Sequence, residues 1–328
     1  MINTPPVKSV VLIIAALASV LFAQTKSQEP AGELVIFHAG SLSVPMRKIC
    51  SEFNKLYPEV KIYREAAGSR MCARKISDLH RPCDVMASAD YTVIDALLIP
   101  EFADWNIKFA ANEMVVAYMP HLGYSNQITK ENWWDTLLKK EVAFGRSDPN
   151  CDPCGYRSVL VMKLAERFYK EPGLARRLIS KDRKYIRPKE TDLLALLETG
   201  ELDYIFIYRS VAAQHQLEYL SVPEQINLSR PELSDVYDKV SVRLTGRKPG
   251  EYLIKSGAPI VYGVTIPKNA PNSELAKKFL AFMLEAEKGG TIFEQNGQDF
   301  LVPAASDTFE KVPESLRRFV TSVGGKVK

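Results

Sequence analysis

Two short segments of this 328-residue chain have the residue types and spacing to hold an oxyanion. Ala39-Gly40-Ser41 and Ala66-Ala67-Gly68-Ser69 each close an apolar, strand-like run and open a helix-like one. That placement aims backbone N–H groups and a serine hydroxyl at one point, and the positive end of a helix favours an anion there. Two acidic residues stand at comparable positions. Asp152 lies in Ser147-Asp148-Pro149-Asn150-Cys151-Asp152-Pro153-Cys154-Gly155-Tyr156-Arg157, where the prolines and Gly155 enforce a turn before a helix from Ser158 to Phe168. Glu190 lies in Ile186-Arg187-Pro188-Lys189-Glu190-Thr191-Asp192-Leu193, with Glu190 or Thr191 near the start of the next helix. Each has a purely structural reading as well: an aspartate caps a helix N-terminus, and a glutamate favours the helix dipole, with no ligand at all.

Other chemistries fit less well. Cys151-x-x-Cys154 has no second cysteine pair or paired histidines at metal spacing, and His38, His80, His121 and His215 are scattered, which argues against zinc. A redox role would need a thioredoxin-like context that is absent, leaving a disulfide or two buried thiols. Cys72 and Cys83 are a candidate pair for another disulfide across the second helix, with two free thiols the alternative, and with Cys50 the count is five, so at least one thiol stays unpaired. An exported hydrolase using Asp152 and Glu190 as an acid–base pair, in the manner of glycosidases, is the enzymatic alternative. No nucleophile elbow, phosphate loop or metalloprotease motif accompanies them, so an enzyme is not expected. Trp133-Trp134 suit a helix start after Thr129 better than a sugar platform.

The elements that must position these residues alternate. Leu34-Val35-Ile36-Phe37 reads as a strand, and Val44, Ile49, Phe53 and Leu56 follow at helical spacing until Tyr57-Pro58. Val60 to Tyr63 is the next strand, Gly68-Ser69 opens a helix through Ile76, and Asp84 to Ala87 is a third strand before a helix around Val93 to Leu98. This order predicts a parallel sheet whose ligands sit at the carboxyl ends of the strands, where both glycine-serine turns fall. Met114 to Met119 is an apolar strand after which the composition changes, and Ala258 to Val264 returns to the first pattern. Ser273 to Met283 is an amphipathic helix with a serine cap and Leu275, Phe279 and Phe282 on one face.

The expected fold class is therefore α/β with two lobes joined by two crossings. Residues 24–112 plus 257–328 form one lobe and 113–256 the other, a layout suited to hinge closure around a ligand. Residues 1–23 read as a signal peptide: Lys8, then an apolar run from Val10 to Phe22 ending at Ala23. That run is shorter than the roughly 20 residues that span a bilayer. No cysteine precedes Cys50, which argues against lipid attachment, so the mature chain is expected to be exported, soluble and periplasmic. The formal charge is +4, and loss of Lys8 lowers it by one; such a balance does not suggest a nucleic-acid partner. The tail Gly324-Gly325-Lys326 is expected to fray.

Taken in order, HAGSL, AAGSR, NCDPCGYRS, RPKETDL and LDYIFIYRSVAAQH resemble the periplasmic molybdate- and tungstate-binding proteins of ABC transporters, most closely their tungstate/molybdate subfamily. The similarity runs from about Glu33 to Phe319. It implies the type II periplasmic-binding-protein fold. It also implies an oxyanion site made by the hydroxyls and N–H groups of Ser41 and Ser69, the backbone at Cys154 and the hydroxyl of Tyr208, with Asp152 and Glu190 as direct ligands of tungsten or molybdenum. The implied work is capture without chemistry and without a resident cofactor: a monomer closes on the anion and delivers it to a membrane permease.

Two carboxylates beside a dianion should cost several kcal/mol even at an effective dielectric near 20. Tungsten(VI) and molybdenum(VI), unlike sulfur(VI), expand from four to six ligands, so a carboxylate oxygen can bond to the metal rather than oppose the anion. The same pair would then reject sulfate and phosphate. The alternative within binding proteins is a site for a tetrahedral oxyanion, molybdate or sulfate, through neutral donors only.

Overall fold

The computed structural model describes residues 30–120, 128–246, 248 and 250–322. The signal segment 1–23, His121 and the tail from Gly324 lie outside the described residues. Thirteen strands carry the architecture: β1 (Gly32–Ala39), β2 (Val60–Ala67), β3 (Val85–Ser88), β4 (Ile107–Asn112), β5 (Met114–Tyr118), β6 (Phe144–Ser147), β7 (Ile186–Arg187), β8 (Tyr204–Tyr208), β9 (Glu218–Ser221), β10 (Ser241–Thr245), β11 (Tyr252–Ser256), β12 (Ile260–Thr265) and β13 (Asp299–Phe300). One sheet has the order β13-β4-β12-β3-β1-β2 and the other β7-β6-β8-β5-β9, while β10 and β11 pair as a hairpin. The chain passes from the first sheet to the second between Asn112 and Met114 and is back in the first at Ile260. This is a two-lobed α/β fold.

The first sheet is mixed rather than wholly parallel. β1 runs parallel to β2 and β3, but β12 is antiparallel to both β3 and β4. A strand that returns from the other lobe has no crossover helix behind it, so nothing obliges it to run parallel.

Alternation along β1 and β3 divides the first lobe's core in two. Leu34, Ile36, Val85 and Ala87 join Met46, Ile49, Phe53, Phe279 and Leu280 on one face; Phe37 and Met86 join Cys72, Ile76, Val93 and Leu97 on the other. Helix Ser43–Leu56 thus packs with helix Ser273–Met283, and helix Ser69–Ser77 with helix Tyr91–Leu97. Leu56, expected on the buried face, is more than half exposed at the last position of its helix. Leu275, Phe279 and Phe282 are buried as their spacing required. The serine cap before them is not formed: Ser273 is the first helical residue, and Asn272 at the N-cap spends its amide on the carbonyl of Glu33 instead.

The disulfide expectation fails. All five cysteines are free thiols. Cys72 donates to the carbonyl of His38 and Cys83 to that of Val85, so each sulfur is turned toward backbone. Cys151 and Cys154 are likewise two thiols, the first half-buried and the second buried. Trp133 starts its helix as expected, buried, with its indole N–H on Tyr169 Oη at 3.1 Å. Among the described residues no helix is long and apolar enough to cross a membrane.

Candidate functional site

Each candidate residue sits where a strand gives way to a helical turn. β1 ends at Ala39 and the turn Gly40–Leu42 carries Ser41; β2 ends at Ala67 and Ser69 opens helix Ser69–Ser77. On the other lobe, β6 leads through a short loop to helix Pro153–Tyr169, for which Asp152 is the N-cap. Glu190 begins a turn three residues after the end of β7, and Tyr208 ends β8 as the N-cap of helix Arg209–Gln214. All six candidates are buried, with Ser69, Asp152, Cys154, Glu190 and Tyr208 at 0% exposure and Ser41 at 1%.

The two lobes meet at these turns. A Cβ on Gly40 would lie 3.1 Å from Glu190 Oε1, and one on Gly68 would lie 2.3 Å from the carbonyl oxygen of Cys151 and 3.1 Å from Asp152 Cβ. Only glycine permits such an approach at Gly68, since its neighbour there is backbone. Asp152 binds both neighbouring segments of its lobe: Oδ1 accepts from Cys154 N at 3.4 Å and Oδ2 from Glu190 N at 3.0 Å. The capping reading of Asp152 therefore holds, and its second oxygen does more than cap.

The carboxyl of Glu190 differs from every other acid in the chain's core. Neither of its oxygens has a hydrogen-bond partner of good geometry, although the Asp152 carboxyl and the Ser41 backbone stand beside it. Burial, reinforced by the Asp152 carboxylate, pushes Glu190 well above the ordinary carboxyl range. Asp152 is also raised by burial, against the pull of its hydrogen bonds. Two charges side by side on this buried pair are therefore costly without a ligand. Burial likewise keeps Cys154 a neutral thiol, its Sγ donating to the carbonyl of Phe206 at 3.7 Å. Its backbone N–H already donates to Asp152 Oδ1 at 3.4 Å, a long bond that a ligand oxygen would have to share or replace. No group of three or more His, Cys, Asp or Glu able to hold a metal ion occurs among the described residues.

The hydroxyls share a polarity. Ser69 Oγ accepts from Ala89 N at 2.9 Å, Ser41 Oγ accepts from Tyr262 Oη at 3.1 Å, and Tyr208 Oη accepts from Arg157 Nη1 at 2.8 Å. With an internal donor on each oxygen, each O–H is left to donate.

A set of residues that the sequence reading did not single out ties the lobes together. Asp90, just past β3, receives Tyr156 Oη at 2.6 Å, Lys255 Nζ at 2.7 Å and Arg157 Nη2 at 3.5 Å. Burial alone would raise Asp90, but the Lys255 and Arg157 charges outweigh it and hold the carboxyl well below its usual range. Arg157 also donates to the carbonyl of Ala89 at 2.6 Å. Buried Arg70 crosses the same seam to the carbonyls of Asn150 and Thr245. Tyr156 and Arg157 stand in the quoted NCDPCGYRS segment, but nothing in the sequence marks that arginine as buried.

The profile of bacterial extracellular solute-binding proteins matches residues 34–298. This chain belongs to that family. It is 41% identical to the molybdate/tungstate-binding protein WtpA of Pyrococcus abyssi, over 96% of this chain and 97% of that one. It is 49% identical to an uncharacterized solute-binding protein of Petrotoga mobilis, over 90% of this chain and 92% of that one. The family fold is shared with the solved periplasmic molybdate-binding protein of Azotobacter vinelandii, at a TM-score of 0.60 and 15% identity, covering 81% of this chain and 98% of that one.

Proposed function

We propose that this solute-binding protein captures tungstate or molybdate between its lobes and delivers it to the membrane permease of an ABC transporter. The observation that carries the reading is the buried Asp152–Glu190 pair set against the Gly40-Ser41 turn, with both Glu190 oxygens unpartnered. A buried carboxyl without partners costs stability and persists where a ligand uses it. A metal centre that accepts two further oxygens is such a ligand, whereas sulfate would meet only repulsion from the same pair. The relatives named as molybdate/tungstate-binding proteins support the choice of anion.

In this reading Ser41, Ser69, the Cys154 backbone and Tyr208 hold the anion's oxygens, and Asp152 and Glu190 complete six-fold coordination. Residues 24–112 plus 257–328 move against 113–256 about the two crossings, and closure forms the surface that the permease recognises. The chain works as a monomer, catalyses nothing, carries no resident cofactor, and is exported to the periplasm with cleavage near Ala23. Isothermal titration calorimetry of the mature protein with tungstate, molybdate and sulfate tests it. Tight 1:1 binding of tungstate or molybdate without sulfate competition is expected; sulfate binding of comparable strength would place the carboxylates outside the site.

A further inference from the structure

The polarity of the Ser41 hydroxyl is set from a distance. Asn112, the last residue of β4, stands at the first crossing between the lobes. Its Oδ1 accepts from two backbone amides, Glu113 N at 3.0 Å and Ser210 N at 3.3 Å. Backbone N–H groups can only donate, so these bonds fix which end of the amide is oxygen. Nδ2 must then face the other way, where it meets Ser210 Oγ at 2.7 Å and Tyr262 Oη at 3.0 Å. An amide N–H can only donate in turn. The Tyr262 oxygen therefore accepts, and its own O–H points at Ser41 Oγ, 3.1 Å away. Ser41 Oγ accepts that hydrogen bond, which leaves its own O–H to donate.

Asn112 and Tyr262 are both buried, and burial pushes the Tyr262 phenol above its usual range, so the relay keeps its protons across the physiological span. The backbone of Ser41 is held independently, its carbonyl accepting from Gln298 Nε2 at 3.2 Å. Without the relay, the Ser41 backbone would stay in place while its hydroxyl became free to turn away.

We infer that Asn112 and Tyr262 are positioning residues for oxyanion binding: they fix the Ser41 hydroxyl as an obligate donor and so hold it ready for a fully deprotonated oxyanion. The inference rests on the functional reading above. It also gives the crossing a part in recognition, because Asn112 takes the Ser210 amide from one lobe's helix Arg209–Gln214 and passes the resulting polarity to Tyr262 on β12 in the other.

A double-mutant cycle separates this role from a merely structural one. Tungstate affinity is measured by calorimetry for the unmodified protein, Tyr262→Phe, Ser41→Ala and the double variant. The relay requires a loss of about fivefold for Tyr262→Phe with Ser41 present and less than twofold in the Ser41→Ala background, with the melting temperature of each single variant read alongside. An equal loss in both backgrounds, or no loss in the first, overturns the relay. Should Tyr262→Phe not fold, Asn112→Ala enters the same cycle with the same criteria. If the unmodified protein binds neither tungstate nor molybdate, the functional reading falls and the relay with it; if it binds and the cycle shows no coupling, only the relay falls.

Discussion

The two halves of the candidate site are built on opposite principles. The first lobe offers neutral donors: the Ser41 and Ser69 hydroxyls, each with an internal donor on its oxygen, at the mouths of two parallel strands. The second lobe offers buried acids, Asp152 and Glu190, and the two carboxyl oxygens of Glu190 lack a hydrogen-bond partner of good geometry. The donor half would suit many tetrahedral anions. The acidic half suits few, and it is the half whose isolated energetics are unfavourable. Affinity in general can come from the first and discrimination from the second, with the Asp90–Arg157–Lys255 cluster drawing them together.

The contrast can be broken most severely at the cluster that joins the halves. Asp90→Ala leaves Arg157 and Lys255 buried or half-buried without their shared carboxylate, and removing one partner of a buried ion pair costs roughly 3–5 kcal/mol. Thermal unfolding should show that loss, and tungstate binding should weaken with it; a melting temperature unchanged from the parent would mean the cluster does not hold the lobes. Next comes Gly68→Ala, whose Cβ meets the Cys151 carbonyl at 2.3 Å. Overpacking against backbone costs about 1–3 kcal/mol, here charged to closure, so tungstate affinity should fall by roughly tenfold or more while sulfate, if it binds the donor half of an open form, changes less.

Glu190→Gln sharpens the comparison because its two effects have opposite signs. Tungstate affinity should fall at least tenfold, about 1.4 kcal/mol, while the ligand-free protein becomes more stable. The pH dependence follows from the raised position of Glu190. A carboxyl raised in the folded state contributes stability that is fully present below the ordinary carboxyl range and is lost as pH rises through its own higher value. The Gln variant should therefore melt higher than the parent at alkaline pH, with the gap closing as pH falls; a gap independent of pH would remove the buried charge as the cause. The smallest effect belongs to the donor half: Ser69→Ala, which deletes one donor and leaves Ala89 N without its acceptor, should cost about 1 kcal/mol of binding. Calorimetry that found Ser69→Ala more damaging than Glu190→Gln would reverse the assignment of roles.

What the chain discloses without coordinates is local. Gly40-Ser41 and Gly68-Ser69 were readable because glycine, serine and a flanking apolar run all report one short stretch of backbone, and the same holds for Asp152 ahead of Pro153. Ser273 shows the limit of local reading: a plausible cap is displaced because Asn272 is drawn away to Glu33, 239 residues earlier. Tyr262 bonds Ser41 across 221 positions, and Arg157 reaches Tyr208 and Ala89 at once. No period or spacing encodes such pairs, since they exist only once distant strands of one sheet are paired, as for Tyr262 and Ser41, or the two lobes meet, as for Arg157 and Ala89. The Cys72–Cys83 bridge failed for a related reason: proximity in one helical region says nothing about where each sulfur points, and both point at carbonyls.

Those sulfurs bear on how the protein is made. Burial pushes Cys50 and Cys72 up to about 12, and Cys83 and Cys154 above their usual range as well, so thiolates are scarce at any physiological pH. Only Cys151 is partly accessible, and burial with the Asp148 carboxylate raises it too. Thiolate is the form that attacks oxidants and other disulfides. The cysteines are consequently in the same covalent state on either side of a membrane: no oxidant is needed to pair them, and a reductant finds no disulfide to break.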